Sequence, residues 1–184
     1  MDRESAYKLV NEHVKTVNLV KHMLATEAVM RALARELSEN EERWGIAGLV
    51  HDIDLDILGD DLARHSLLSA EMLKENGFDD EITGAVASHN DAHALPRDTK
   101  MAKALYACDP LTGLITASAL VRPDQKLESV KVKSVKKRFK EARFAANANR
   151  DQMKTCESEL GIELSRFIEL GIIAMQEISD DLGL

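Results

Sequence analysis

The chain has 184 residues, 45% hydrophobic and 30% charged, which suits one ordinary water-soluble domain with a sizeable core. No apolar run approaches the roughly 20 residues of a membrane span. Three prolines, nine glycines and 4% aromatics argue against an all-β sandwich, which needs many turn signals. The net charge of −8 does not suggest a general nucleic-acid binder.

Helical periodicity runs through the chain. The pattern predicts helices over about 3–16, 19–37 and 41–51, followed by an irregular exit loop over 52–59. A fourth helix is expected over 61–75, closed by Asn76-Gly77, and a fifth over 80–89, capped by Asp79 or Asp80. A polar loop follows over 90–98. Thr99 then caps a long helix reaching about Val121, with a disturbance expected at Pro110. After the Arg122-Pro123-Asp124 turn comes a basic segment, and helices over 149–159 and 164–181 complete an all-α chain. There is no internal repeat or long linker, so residues 1–184 read as a single domain, with the chemistry-bearing residues over about 18–120 and a helical extension over 121–184. The start lacks a signal-peptide pattern, and Cys108 and Cys156 both fall in helical sequence, so the expected location is the cytoplasm.

The histidines fall on apolar helix faces. His22 shares a face with Val29 and Leu33, His51 with Trp44 and Ala47, His65 with Leu62, Leu68 and Met72, and His89 with Ile82, Ala85 and Val86. Asp109 shares a face with Leu105 and Thr112, and Asp52 follows His51 at the helix exit. Offsets of three, four, seven and eleven mark one side of an α-helix. One inward histidine is unremarkable, but inward carboxylates are costly unless paired or metal-bound. A cation held by all six groups resolves the cost, and nitrogen and oxygen donors without cysteine suit Fe, Mn, Zn or Co. Asp54 and Asp56 are candidates for moving a proton, or else are loop and cap residues. His93 reads as a surface residue, and His13 lies outside the pattern.

The order His22, His51-Asp52 and a distant Asp109 in Ala-Cys-Asp-Pro-Leu-Thr-Gly resembles the H…HD…D signature of the HD superfamily of metal-dependent phosphohydrolases. Ala47-Gly48-Leu49-Val50-His51-Asp52-Ile53-Asp54 resembles that family's LLHDIG stretch, with Asp54 where many members have glycine. His65 to Leu73 resembles its H…GAE.L helix, and His89 stands where dinuclear members place another ligand. The resemblance implies a helical bundle with a metal site at its centre. His22, His51, Asp52 and Asp109 would hold one metal; Asp52 would bridge to a second, completed by His65 and His89. Two divalent metals per chain would then present a hydroxide to a small phosphate ester, such as a nucleotide, with Asp52 and Asp54 in the catalytic set. Relatives that activate oxygen at two irons, and a metal-containing nucleotide-binding module without turnover, are the alternatives.

The stretch Lys126–Arg143 carries eight basic and two acidic residues on an otherwise acidic chain. It reads either as a solvated helix face or as a contact for the substrate's phosphate, with Lys133, Lys137 and Arg138 as the contacts to test. No membrane and no nucleic-acid partner is expected.

Overall fold

The computed structural model describes residues 1–184 as helices without strands. Helix α1 (Arg3–His13) is capped by Asp2, whose carboxylate accepts from the Ser5 N–H at 2.8 Å. Helix α2 (Val17–Leu37) ends at Ser38 in the left-handed region (φ 58°), and α3 (Glu41–Val50) starts at Asn40, which accepts from the Arg43 N–H at 3.0 Å. Helices α2 and α3 pack closely because residue 48 is glycine. A Cβ there would stand 2.8 Å from the Thr26 carbonyl oxygen and 2.9 Å from the Glu27 nitrogen. Buried Glu27 bridges Arg3 of α1 (2.6 Å) and Arg31 of its own helix (3.0 Å), fixing α1 against this pair.

The expected exit loop contains a short helix, α4 (Leu55–Leu58), and then a 3-10 turn over Leu62–Arg64. The predicted helix over 61–75 is corrected: α5 spans only Leu67–Glu75. His65 is extended (φ −55°, ψ 138°) and Ser66 has φ 75°. The break carries no glycine or proline signal. The tertiary structure imposes it, since the Ser66 N–H donates to Asp54 at 2.8 Å and its hydroxyl to the Ala87 carbonyl at 2.9 Å.

Helix α6 (Asp80–Ser88) is capped by Asp79, and α7 (Lys100–Leu120) by Thr99. Helix α7 runs on through Pro110, with no break at the expected disturbance. Within the basic segment lies α8 (Val132–Phe139), followed by α9 (Arg150–Leu160), α10 (Leu164–Glu177) and α11 (Ser179–Leu182). The Arg150 guanidinium orders the 140–149 connection by donating to the carbonyls of Phe144, Ala145 and Ala148. Helices α9 and α10 pack on α7, and α10 also covers α2. Residues from α1 to α11 thus share one continuous apolar cluster, including Met23, Leu49, Leu105, Leu111, Met153 and Phe167. No helix is long and apolar enough to cross a membrane.

Candidate metal centre

Four helices and one loop deliver the six side chains to one place. His22 comes from α2, His51 and Asp52 from the end of α3, His65 from the loop before α5, His89 from the end of α6, and Asp109 from mid-α7. The rings of His22 and His51, of His51 and His89, and of His65 and His89 each stand with centroids 5.1 Å apart.

All four imidazoles are oriented alike. The His51 Nδ1–H donates to the Gly48 carbonyl (2.9 Å) and the His89 Nδ1–H to the Val86 carbonyl (2.6 Å). The Thr112 hydroxyl donates to the Asp109 carbonyl (2.8 Å), so it accepts from His22 Nδ1–H at 3.1 Å. The His65 Nδ1–H donates to Asp54 Oδ1 at 2.9 Å. Each acceptor holds the proton on Nδ1 and leaves the Nε2 lone pair facing inward, the arrangement a metal-binding histidine needs.

Asp52 stands at the centre with its two oxygens facing different halves. Its Oδ2 lies 3.5 Å from His22 Nε2 and 3.2 Å from His51 Nε2; its Oδ1 lies 3.6 Å from His65 Nε2 and 3.3 Å from His89 Nε2. Asp109 Oδ1 joins the first half, 3.0 Å from His22 Nε2 and 3.8 Å from His51 Nε2. Two buried side-chain atoms, His51 Nε2 and Asp52 Oδ1, have no hydrogen-bond partner. Orphaned polar atoms at such depth are costly, and a divalent cation satisfies both.

The donor set therefore fits divalent metal. His22, His51 and Asp109 form one group able to hold an ion, and His51, Asp52 and His89 another. With protons as the only cations, burial opposes charge on the imidazoles, but Asp109 and Asp52 outweigh it and raise His22 to about 9. The same pairing holds Asp109 below the usual carboxylate range despite its burial. The cluster thus attracts positive charge into the protein interior.

Asp54, expected in the catalytic set, is held by bonds to its neighbours. Its side chain is fully buried. Oδ2 accepts from the backbone N–H groups of Ser66 (2.8 Å) and Ser69 (3.1 Å), while Oδ1 accepts from His65. These bonds set Asp54 against His65 Nδ1, where it orients the ring. Asp56 accepts from the Lys15 and Thr16 N–H groups (2.6 and 2.8 Å), joining α4 to the start of α2.

His93 is also corrected, from surface residue to brace. The 3-10 turn Asp91–His93 folds it back so that Nε2 donates to the His65 carbonyl at 2.7 Å, beside Asn90 Nδ2 at 3.2 Å. Asp54, Thr112, Asn90 and His93 thus orient the imidazoles or their loop; all four lie next to or within a few residues of motif residues, but nothing local in the sequence marks the contacts they make.

The three basic residues singled out as phosphate contacts do not join the cluster. Lys133 and Lys137 line an open groove with Lys136, Lys140 and Ser165, and none of the six converging residues borders it. Arg138 pairs with Glu141 (2.7 Å) and lies over the Phe144 ring, 4.6 Å from its centroid.

Comparison with known proteins agrees with this geometry. The family model described as HD domain matches residues 19–150. Ribonuclease Y of Oleidesulfovibrio alaskensis is 26% identical over 164 residues, covering 89% of this chain and 28% of that protein. Ribonuclease Y of Nitratidesulfovibrio vulgaris (strain DP4) is 29% identical over 96 residues, 52% of this chain and 18% of the relative. Ribonuclease Y of Lawsonia intracellularis is 27% identical over 113 residues, 61% and 20% respectively. The chain therefore spans less than a third of the length of these curated relatives. No solved structure matches it. The matched span contains every one of the six converging side chains, on helices and a loop that aim them inward, and the chain belongs to the HD domain family.

Proposed function

We propose that this chain is a metal-dependent phosphohydrolase that cleaves a nucleotide or another small phosphate ester, using two divalent cations drawn from Fe, Mn, Zn and Co. The observation that carries the reading is the pair of orphaned atoms, His51 Nε2 and Asp52 Oδ1, at the centre of an oriented histidine set. The division of Asp52 between two halves of the cluster supports two cations rather than one. When bound, such cations supply Lewis acidity that makes water nucleophilic near neutral pH and offsets charge on phosphoryl oxygens.

The protein supplies orientation and access. Asp54, Thr112 and the Gly48 and Val86 carbonyls keep each Nε2 unprotonated and facing inward. The His51 and His89 side chains are 0% and 3% exposed, so water reaches the cluster from elsewhere. His22 and Asp109, at 25% and 29%, form its open side, where an ester would approach. The relatives' name, ribonuclease, supports hydrolysis of a phosphorus–oxygen ester bond as the reaction class. The two free cysteines, both buried in helices, support a reducing compartment such as the cytoplasm.

The test is release of phosphate or nucleoside from nucleoside monophosphates, cyclic nucleotides and dinucleotides by protein loaded in turn with each metal. Turnover should persist without oxygen and disappear in Asp52→Ala. Strict oxygen dependence would favour an oxygenase of the same fold, and undiminished turnover in Asp52→Ala would remove the cluster from the reaction.

A further inference from the structure

The open side of the cluster leads into a defined space. A cavity of about 360 Å³ lies between α2, α7 and the Leu182–Leu184 tail. Its wall includes His22 itself, a partly exposed member of the cluster. Asn18 and Lys21 from α2, Thr116 from α7, and the apolar side chains of Leu120, Leu182 and Leu184 share the lining.

Lys21 is one residue from His22, lines the cavity, and has no carboxylate partner. Its ammonium is held near the tail: a Cβ on Gly183 would stand 2.8 Å from Lys21 Nζ. A cation without a carboxylate partner, in a cavity lined by His22 and three leucines, matches an anion that carries an apolar group. The lysine groove on α8 has a different character, being wide open and bordered by no member of the cluster.

We propose that this cavity receives the organic part of the substrate: a phosphate monoester of about mononucleotide size. Its phosphoryl group meets Lys21 and the His22–Asp109 side, and its base or aryl group rests between Leu120 and Leu182. The proposal rests on the phosphohydrolase reading and deepens it by assigning the specificity-determining residues. It also moves substrate recognition from the basic helix α8 to α2, α7 and the tail.

Gly113 offers a test at the cavity wall. It lines the cavity one turn after Asp109, and a Cβ added there meets nothing within 4 Å. Gly113→Leu therefore starts its side chain into open space at the cavity wall, and it also favours the helix. The probes are inorganic phosphate and phenylphosphonate, whose carbon–phosphorus bond resists hydrolysis, titrated calorimetrically into manganese-loaded protein. The wild type should bind phenylphosphonate more tightly than phosphate. Gly113→Leu should lose that preference while keeping phosphate affinity and metal content. Lys21→Met should weaken both probes about tenfold, the loss of a hydrogen bond to a charged group.

The cavity is overturned if Gly113→Leu keeps the wild-type preference, if the wild type shows none, or if a Lys133→Ala, Lys137→Ala double variant causes the weakening instead. Failure of the loaded wild type to bind either probe would overturn the phosphohydrolase reading itself, and the cavity assignment with it.

Discussion

Replacing Asp54 by asparagine isolates the role assigned to its carboxylate. One oxygen accepts from two backbone N–H groups and the other from His65 Nδ1–H. An amide has only one oxygen. If that oxygen stays with Ser66 and Ser69, the amide NH2 faces His65 Nδ1, which must then accept; the ring proton moves to Nε2 and blocks the lone pair aimed at the cluster. If the amide turns round, its NH2 opposes two backbone donors, which is worse. Loss of such an orienting partner weakens metal affinity about 10–100-fold, or about 1.4–2.7 kcal/mol. The half built from His22, His51 and Asp109 keeps its own acceptors at Gly48 and Thr112. Competition with a chromophoric chelator should therefore show one class of cation weakened and the other retained, in a variant whose circular dichroism matches the wild type. Equal affinity of Asp54→Asn and wild type for both classes would refute the positioning role.

Three further outcomes follow from the packing. Gly48→Ala puts a methyl group 2.8 Å from the Thr26 carbonyl oxygen, so α2 and α3 must separate; a loss of about 1–3 kcal/mol is expected in urea unfolding, with weaker metal binding because His51 lies three residues on, and an unchanged midpoint would contradict the close approach. Asp56→Asn should cost about 1 kcal/mol through weakened bonds to the Lys15 and Thr16 N–H groups. Those bonds hold Asp56 below the ordinary carboxylate value, so its contribution is full above about pH 4 and fades as pH falls through the lowered value. Melting curves of the two proteins should converge in acid, and divergence there would reverse the assignment. Removal of metal by a chelator should lower the melting temperature, and metal added back in excess should restore it.

Much of this arrangement was legible in the sequence because the histidines repeat with the helix period. His22, His51 and His89 sit on, or at the end of, the helices that their apolar neighbours predict. His65 reaches the same cluster from a loop, and local periodicity misreads it because Ser66 is held at φ 75° by Asp54 and Ala87, partners 12 and 21 residues away. Thr112 escapes notice for the same kind of reason: its hydroxyl meets His22 across 90 residues, through the packing of α2 on α7. The charge of the 126–143 segment is plain in the sequence, but its direction is not. Val135 faces the core while Lys133 and Lys137 face a groove away from the histidines. A run of charge reports composition, whereas a site depends on which neighbours the fold brings to it.

Metal analysis by mass spectrometry, on protein never exposed to chelator, bears most directly on the buried cluster. Two divalent cations per wild-type chain are expected, with none retained at stoichiometric level by folded His51→Ala or Asp52→Ala protein. Wild-type protein that is folded and free of metal, and takes up none from manganese, iron, zinc or cobalt solutions, would contradict the account.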